Sequence, residues 1–457
     1  MAFSNEKFFE PLTNVISNGK LRLGWGQTGN SNIGGYRWGA SMSRMPTGLG
    51  LGYRQSNIAN LGVKWETQEQ VNVGIDLGFF HERVNLIVDW YKKVSKDMLM
   101  SLQLPSYMGT SGNASSALAA PMGNYGDIEN KGWEISLNTH PLIGAFEWDS
   151  DFQISFNRNK LRALDGTANA QIVGYGQWSD VVSVTNVGES LYNFYGYVCD
   201  GVYEDLEDLQ TSAKPAKYPA DGVFNRTNTV WVGDIKYKDL NGDGVIDEND
   251  RTNIGSPLPK FTFGWTNTFR YKNFDLSLFI NGSYGNKVFN YLGMKLTHMN
   301  SPWSNQLNTV LDRAQIVPID PNKDYSAGVV VNGVTIYNWY DDITNVRVAN
   351  AGATIPRASI QDPNDNDRIS DRYIEDGSYI RLKNITLGYT FPGKIIKKWG
   401  LDNLRVYANI QNLLTITGYS GYDPEIGAST ASANVYGLDN GRYPSPTVYS
   451  FGLNVSF

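Results

Sequence analysis

The chain ends on a run of strictly alternating apolar and polar side chains. Because side chains on a strand alternate with period two, one face is apolar and the other carries small or polar residues. An apolar outer face that ends on Phe is typical of the closing strand of an outer-membrane β-barrel, where it serves as the C-terminal assembly signal. The last strand of a soluble β-sandwich also alternates. The apolar residues are Tyr449, Phe451, Leu453, Val455 and Phe457.

Nine further segments repeat this alternation. Each places apolar residues at about every second position with polar residues or Gly between them, as strands with one apolar face do. Together with the tail they predict ten strands. The segments are Leu21–Trp25, Val71–Phe79, Val84–Trp90, Trp133–Leu137, Phe152–Phe156, Phe261–Tyr271, Phe274–Ile280, Ile385–Phe391 and Leu404–Ile410.

The links between the predicted strands alternate in length. Outer-membrane barrels have short periplasmic turns and long extracellular loops, whereas a soluble sandwich has no reason to keep this asymmetry through four hairpins. The pattern favours an all-β, antiparallel transmembrane β-barrel with residues 161–260 as a long extracellular loop region. The short links are Phe80–Glu82, His140–Ala145, Lys272–Asn273 and Pro392–Gly400, and the long links are Ser95–Glu129, Leu161–Lys260, Asn290–Gly377 and Leu413–Pro446.

The composition agrees with a barrel. The chain has 457 residues, 13% of them aromatic, and its mean hydropathy is −0.35. No apolar run approaches the roughly 18 residues that a membrane helix needs, and a barrel reconciles these values because only alternate residues face lipid. The net charge of −6 and the lack of a basic cluster argue against a nucleic-acid partner.

Few residues are suited to transition-metal binding or catalysis. Cys199 is the only cysteine, and His81, His140 and His298 are far apart without ligand spacing. This excludes a thiolate cluster and argues against a histidine-based metal site. No distinctive pair of carboxylates suggests glycoside cleavage. We therefore expect no enzymatic activity, no catalytic residues and no organic cofactor.

Residues 239–250 have the spacing of a calcium-binding loop. Oxygen-bearing side chains stand at loop positions 1, 3, 5, 9 and 12, Gly244 stands at the sharp turn of position 6, and the carbonyl of Val245 would serve position 7. The alternative is an Asn-Gly/Asp-Gly turn in a solvated acidic loop. We expect a structural Ca²⁺ ion of weak affinity that orders a long outer loop. The expected ligands are Asp239, Asn241, Asp243, Val245, Asp247 and Asp250.

A second acidic segment, Asn364–Arg368, also carries oxygen-bearing side chains. It could bind a second ion, but a solvated acidic loop is the simpler interpretation.

Several longer motifs occur together in this chain: LRLGWGQTGN at 21–30, GDIKYKDLNGDG at 233–244, DRTNIGSPLPKFTFG at 250–264, DGSYIRLKNITLGY at 376–389 and LRVYANIQNLL at 404–414. In these motifs the chain resembles the SusC/RagA-type TonB-dependent outer-membrane transporters of Bacteroidota, over essentially its whole length. The resemblance implies that residues 1–457 are the C-terminal part of a 22-stranded barrel. The signal peptide, TonB box and plug of the family do not stand out in this sequence.

The resemblance also implies a function and partners. Transporters of this family import large nutrients, commonly oligosaccharides and in some cases peptides. They work with a SusD-like surface lipoprotein that lids the barrel and with the TonB–ExbB–ExbD complex, which this chain would reach through the missing N-terminal part. The implied location is the outer membrane, with lipid against the barrel wall.

Aromatic residues in the predicted long loops are candidates for contact with substrate or with the lid. Aromatic rings stack on sugars, but they also fold loops or form the girdle at the membrane interface. The candidates are Tyr175, Trp178, Trp303, Tyr337, Trp339, Tyr340, Tyr419 and Tyr422.

Two other functions fit part of the pattern. A stand-alone passive barrel is one, since ten strands is an even number and therefore permitted. A secreted calcium-binding protein that recognises or cleaves glycans is the other. Requirement for detergent separates the barrels from the secreted protein, and the coding sequence upstream of Met1 separates the importer from the passive barrel.

Overall fold

A computed structural model describes residues 2–12, 15–101, 107, 118–164, 170–177, 179–427 and 434–457. Its main feature is a ten-stranded antiparallel sheet in which the strands follow one another in chain order. This confirms the predicted all-β class and the predicted number of strands. The strands are β1 (Ile16–Asn30), β2 (Glu66–Phe79), β3 (Val84–Ser101), β4 (Met122–Leu142), β5 (Phe146–Ala163), β6 (Phe261–Tyr271), β7 (Phe274–Tyr284), β8 (Tyr379–Thr390), β9 (Asn403–Thr417) and β10 (Val448–Ser456).

The register of the sheet aligns the apolar positions into rows on one face. Side chains directly opposite each other on neighbouring strands share a face of the sheet, so a single row can be followed across many strands. Near β10 the row runs through Phe451, Ala408, Leu387 and Leu276. A second row, from β1 to β6, runs through Leu21, Ile75, Val88, Ile135, Ile154 and Phe263.

The opposite face carries paired charges. Arg22 on β1 donates to Asp76 on β2 over 2.6 Å and to Asp89 on β3 over 2.8 Å. On the same face, near the C-terminal end of the strand order, Arg405 on β9 donates from Nε to Asp275 on β7 over 3.0 Å. Charges of opposite sign on one face compensate one another, both between adjacent strands and across an intervening strand. The sheet therefore has one apolar face and one polar face.

The long loops leave the sheet at one end and the short turns leave it at the other, because successive links of an antiparallel meander alternate ends. The tight turn predicted after Phe79 is confirmed, with positive φ angles at Phe80, His81 and Glu82. The short turns are 80–83, 143–145, 272–273 and 391–402, and the long loops are 31–65, 102–121, 164–260, 285–378 and 418–447.

Four predicted links were too long, including the one predicted from Leu413, because β9 continues to Thr417. Residues 95–101 and 122–129 lie in β3 and β4 rather than in a loop, and residues 140–142 still belong to β4. The loop region predicted from residue 161 begins after Ala163, where β5 ends. The reason is the same in each case: backbone hydrogen bonds extend the ladder past the last alternating residue, so stretches without alternation are included.

Short elements lie outside the sheet, in the long loops, in the turn after β8 and before β1. The α-helices are α1 (Leu206–Thr211), α2 (Tyr291–Leu296) and α3 (Gly393–Ile396). None of the helices in the described part of the chain is long and apolar enough to span a membrane. The 3₁₀ helices are Phe3–Asn5, Lys7–Leu12, Glu248–Asp250, Asn308–Asp312, Trp339–Asp341, Ile343–Asn345, Asp371–Tyr373 and Lys397–Trp399. The loop strands are Met42–Thr47, Gly50–Gln55, Gln171–Tyr175, Val181–Asn186, Phe194–Gly196, Cys199–Val202, Lys214–Pro215, Ile235–Tyr237, Val245–Ile246, Thr252–Gly255, Lys287–Asn290, Ile316–Pro318, Val329–Val331, Val334–Ile336, Val346–Val348, Ile374–Asp376 and Leu438–Asp439.

Three long loops share buried cores, and we call them loop A (164–260), loop B (285–378) and loop C (418–447). In one core, Trp231 and Ile235 of loop A pack with Val346 of loop B. In another, Phe194 of loop A packs with Phe289 of loop B and Leu438 of loop C. The three loops therefore form one packed body, the loop assembly, in which most of the fully buried side chains lie.

Candidate functional site

A buried polar network joins loops A and B inside the loop assembly. The carboxylate of Asp234 accepts hydrogen bonds from the backbone N–H of Trp231 and from both Nε and a terminal nitrogen of Arg357, at 2.8, 2.7 and 3.2 Å. Asn366 donates to the same carboxylate over 3.2 Å and accepts from the N–H of Ile235 over 2.7 Å. A buried charge needs such partners to offset the loss of water, so the network fixes how the two loops meet.

The segment Asn364–Arg368 is part of this network, and the prediction that it is a solvated loop is wrong. Asn364 and Asn366 are almost fully buried. The neighbouring Asp362 accepts two hydrogen bonds from Asn366, at 2.5 Å from the side chain and 3.0 Å from the backbone. Burial raises the pKa of Asp362 to about 6, and the nearby carboxylate of Asp234 adds to the rise. Short polar side chains look solvated in sequence, but here they satisfy backbone groups in the interior.

Loop C is tied to the sheet by a second ion-pair cluster. Arg381 of β8 is almost fully buried, and it donates to Asp423 over 2.5 Å and to Glu425 over 2.8 Å. Lys383 reaches the same Glu425 over 3.1 Å. Burial opposes ionisation of Asp423, but the N–H groups of Glu425 and Ser445 and the Arg381 guanidinium together lower its pKa to about 2. Loop C is thereby fixed over the polar face of the wall.

The calcium-type loop is ordered by its own hydrogen bonds. Asp239 accepts from the N–H groups of Gly242 and Gly244 at 2.6 and 2.8 Å, which lowers its pKa. Asp243 accepts from Val245, and the fully buried Asp250 accepts from Leu240 and from Asp247. The glycines at 242 and 244 have positive φ, as the predicted sharp turn requires. Asn241 and Asp247 each accept from the backbone N–H two residues further on.

A ready-made metal cage is absent from the described part of the chain, where no three His, Cys, Asp or Glu side chains converge to hold an ion. In the calcium-type loop the carboxylates face backbone N–H groups rather than one another. The loop is also held from outside, because its Val245–Ile246 strand pairs with Lys214–Pro215. The calcium site stays a prediction.

The candidate aromatic residues are in different environments. Trp303, Tyr337 and Tyr422 are largely exposed, and Tyr175 is half exposed. Tyr340 stacks edge-on against Trp339, and the guanidinium of Arg226 lies 5.0 Å from its ring centre. Trp178 lies outside the described residues.

Tyr419 has a structural position and offers no ring face to a ligand. It is 6% exposed, and its hydroxyl donates to Asp439 over 2.6 Å within loop C. Trp339 also packs partly against the core that loops A and B share. Sequence position in a long loop did not distinguish these rings from exposed ones, because loops of this size have cores of their own. The exposed rings remain the candidates for contact.

A cleft of about 670 Å³ lies between loops A and B, a volume in the range of small-ligand sites. Loop A contributes Asp180 and Tyr197 to its lining, and loop B contributes His298, Asp367 and Arg368. The guanidinium of Arg368 lies between two tyrosine rings, 5.2 Å from the centres of Tyr197 and Tyr237. The cleft is thus lined by polar and charged side chains.

The apolar positions of the C-terminal strand stand exposed on one face. Phe451, for example, is 84% exposed and lies opposite Ala408 of β9. The other members of the predicted assembly signal, Tyr449, Leu453, Val455 and Phe457, are also exposed. Because β10 is the last strand of the sheet, the side chains of its polar face are exposed as well, so the exposure itself does not test an assembly role.

Comparison with known proteins agrees with this architecture. The chain is 32% identical over 457 residues to TonB-dependent receptor P3 of Formosa agariphila, and 28% identical over 464 residues to TonB-dependent receptor SusC of Bacteroides thetaiotaomicron. The chain is similar to these TonB-dependent receptors over nearly its whole length. The matches cover 97% and 99% of this chain but 40% and 39% of those relatives, so the chain spans about two fifths of their length. No protein-family model matches the chain.

Solved structures have the same fold as the sheet and loops of this chain. The RagAB peptide transporter matches with a TM-score of 0.72 over the whole chain, at 21% identity, and 42% of that chain is covered. The open-open state of the RagAB peptide importer matches with a TM-score of 0.71. The ten-stranded sheet therefore has the fold of part of a β-barrel, the class that the alternation and the link lengths predicted.

Sequence reasoning missed the residues that hold the loop assembly together. Asp234 and Arg357 were not singled out, although each stands among apolar neighbours, in Trp231–Ile235 and around Ile355. A charged residue inside an apolar run is a signal of a buried ion pair. The partner could not be found from the sequence, because the two residues are 123 positions apart.

Proposed function

We propose that this chain forms part of the wall and outer loops of a TonB-dependent outer-membrane importer of large nutrients. The single observation that carries the proposal is the ten-stranded meander with one apolar face, one charge-paired face and all of its long loops at one end. That arrangement is what a barrel in a lipid bilayer requires. The relationship to SusC and to receptor P3 supports it.

In this proposal the apolar rows face lipid and the rows with Arg22 and Arg405 face the lumen. The loop assembly then lies outside the cell and the short turns lie in the periplasm. The relatives are named as receptors, which supports a transport role rather than catalysis for this chain.

The proposed partners are a SusD-like surface lipoprotein and, through the rest of the transporter, the TonB–ExbB–ExbD complex. Exposed apolar side chains on the loop side support a partner surface. Trp303 and Tyr422 stand out from loops B and C. Leu49, Leu51 and Tyr53 stand out from the hairpin of residues 42–55. A lid that packs on these loops would cover them.

The proposed cargo is an oligosaccharide, with a peptide as the alternative. Exposed rings at Tyr175, Trp303 and Tyr337 suit stacking on sugars. The RagAB structures are named for a peptide transporter, which supports the alternative. A structural Ca²⁺ ion at 239–250 belongs to the proposal as a device that stiffens loop A.

Membrane insertion tests the orientation. Leu278 and Ser277 are adjacent on β7, so their side chains lie on opposite faces. We expect Leu278→Arg to lower the amount of protein in the outer-membrane fraction, since Arg on the lipid face near the midplane costs about 2–4 kcal/mol. Ser277→Arg is the matched control and should assemble normally. Equal assembly of the two variants would contradict the orientation.

Uptake tests the transport role. Cells that express the protein are compared with cells that lack its gene, using fluorescent oligosaccharides and fluorescent oligopeptides of similar size. We expect accumulation of one class to depend on the gene and to disappear when the proton gradient is collapsed, because TonB systems are energised. Accumulation that is independent of the gene would overturn the importer proposal.

A further inference from the structure

An aromatic row marks the loop end of the apolar band on the apolar face of the sheet. Trp90 of β3 lies opposite Trp133 of β4, and Trp133 lies opposite Phe156 of β5. The row continues to Phe261 of β6, whose ring centre is 5.7 Å from that of Phe156, and Phe261 stacks on Tyr284 of β7 at 5.1 Å. Aromatic girdles of this kind lie at the membrane interfaces of barrels. We call these five residues the upper aromatic row.

A second aromatic row lies at the turn end of the same face. Trp148 of β5 stacks on Phe269 of β6 at 5.8 Å, and Phe146 lies 6.3 Å from Tyr271. Strand β6 begins at Phe261 in the upper row and ends at Tyr271 in the second. These ends are about 34 Å apart along the strand, or about 25 Å across a bilayer at the usual strand tilt. The two rows therefore bound an apolar band of the height that a lipid bilayer requires.

The next row toward the long loops consists of cations. Lys92 of β3 lies directly opposite Lys131 of β4, and Lys131 lies directly opposite Arg158 of β5. We call these three residues the cationic row. Each stands two residues beyond a member of the upper aromatic row on its own strand, so it shares that face and lies about 7 Å further from the apolar band. Like charges directly opposite each other on neighbouring strands repel, so the row is stabilised by an anion.

Carboxylates of the chain compensate the cationic row at one end only. Glu129 of β4 lies 3.4 Å from Lys92, and it is shared with Arg162 at 3.3 Å. Arg158 donates to two backbone carbonyl groups, over 2.7 and 2.9 Å. Lys131 and Arg158 are exposed, and neither pairs with a carboxylate in the part of the chain that the structure describes. Two adjacent cations at the edge of the apolar band therefore lack an anion from the protein.

We propose that the cationic row binds the phosphate groups of a phosphorylated lipid in the outer leaflet of the outer membrane. Ammonium and guanidinium groups form charge-assisted hydrogen bonds with phosphate oxygens, and a guanidinium can form two at once. The three strands of the row span about 10 Å, a width that suits one phosphorylated head group. This inference rests on the proposed function for its orientation, because that function places the apolar face in lipid and the long loops outside the cell.

The depth of the cationic row favours a lipid over a soluble anion. Aromatic girdles lie at the level of the lipid head groups, and the long side chains of Lys and Arg extend from an apolar surface toward that layer. The three cations stand just beyond the upper aromatic row on the same face. A lipid that packs its acyl chains on the apolar band thus brings its phosphates to these cations.

Binding of lipids that differ only in phosphate tests the proposal on the unmodified protein. The intact protein is purified from outer membranes and placed in nanodiscs of phosphatidylcholine, and the probes are diphosphorylated lipid A and its dephosphorylated form. We expect the phosphorylated probe to bind about tenfold more tightly, and its binding to weaken in high salt. Equal binding of the two probes would overturn the proposal. Displacement of lipid A by excess inorganic phosphate would reassign the row to a soluble anion and overturn the lipid site.

Substitutions then locate the site. Lys131→Gln and Arg158→Gln remove one charge each, and each should weaken binding of the phosphorylated probe about tenfold while leaving the dephosphorylated probe unchanged. Lys131→Arg keeps the charge and should keep the binding. Lys93→Gln is the matched control, because Lys93 follows Lys92 on β3 and its side chain lies on the opposite face at the same height. An equal loss in Lys93→Gln would indicate a general charge effect and overturn the site.

The outcomes separate this inference from the proposed function. Equal binding of phosphorylated and dephosphorylated lipid overturns the lipid site even if gene-dependent uptake is observed. Absence of gene-dependent uptake overturns the importer, whatever lipid the cationic row binds.

Discussion

Arg357 and Asp234 form a buried ion pair that joins loop B to loop A. The guanidinium Nε lies 2.7 Å from the carboxylate, and the two residues are 4% and 0% exposed. Burial raises the pKa of Asp234 while the adjacent guanidinium opposes the rise. The pair is embedded in a network with Asn366, so its loss leaves several buried groups without partners.

Replacement of Arg357 by Met should loosen the loop assembly. Removing one member of a buried pair leaves an uncompensated charge and typically costs about 3–5 kcal/mol. We expect loops A and B to become sensitive to protease while the sheet stays intact. Arg347→Met, at an exposed position on the Val346–Val348 strand of the same loop, is the control and should have little effect. Protease resistance equal to that of the parent would show that the pair does not hold the loops.

Asp362 should make the stability of the loop assembly depend on pH. Its pKa rises from 3.8 to about 6 because of burial and nearby carboxylates, so the folded loops bind the proton more tightly than unfolded ones. Protonation of Asp362 therefore adds at most about 3 kcal/mol to the free energy of unfolding of the loop assembly. This contribution is fully present below about pH 4 and is lost as the pH rises through about 6.

The measurement is the urea midpoint of the loop assembly, followed by tryptophan fluorescence at pH 5 and at pH 7.5. Asp362→Asn should reduce the difference between the two values, because the amide does not titrate. If the variant shows the same difference as the parent, the pH dependence arises elsewhere.

Gly132 should tolerate no side chain. A Cβ at this position of β4 would lie 2.1 Å from the backbone oxygen of Phe156 on β5, and backbone cannot move away without breaking the ladder. We expect Gly132→Ala to destabilise the sheet by about 1–3 kcal/mol, visible as a lower temperature of heat modification in gels. Gly26→Ala on β1 is the matched control, since nothing lies within 4 Å of its Cβ. Identical behaviour of the two variants would contradict the packing.

Calcium binding at 239–250 is a further prediction. Oxygen-rich loops of extracellular proteins bind Ca²⁺ with a Kd of about 10⁻⁴–10⁻³ M, and we expect terbium luminescence to be quenched by Ca²⁺ in that range. Asp243→Ala should abolish the signal, while Asp221→Asn, elsewhere in loop A, should leave it unchanged. The titration runs to about 10 mM Ca²⁺, which is about ten times the upper Kd. No change in luminescence over that range would show that the loop does not bind Ca²⁺ and is ordered by its hydrogen bonds alone.

Most strands of the ten-stranded sheet could be predicted from the local alternation of apolar and polar residues. β6 was predicted with its observed ends, Phe261 and Tyr271, because every second side chain is apolar and the turn at Lys272 follows at once. The ends of β3 and β4 were not, because their outer residues do not alternate strictly and their pairing is made by backbone hydrogen bonds. The positive φ angles at Phe80 to Glu82 belong to a turn whose length the sequence did indicate.

The order of residues along the chain specifies the period-two alternation, and with it the strand number, the apolar face and the ends from which long and short links leave. These properties depend on neighbours in the chain, and the geometry of a strand converts them directly into faces. The tertiary structure alone decided that Asp234 meets Arg357, that Asn364 is buried and that Asp180 shares a cleft with Asp367. These contacts join residues more than a hundred positions apart, and they form only when the buried cores of loops A, B and C bring those segments together.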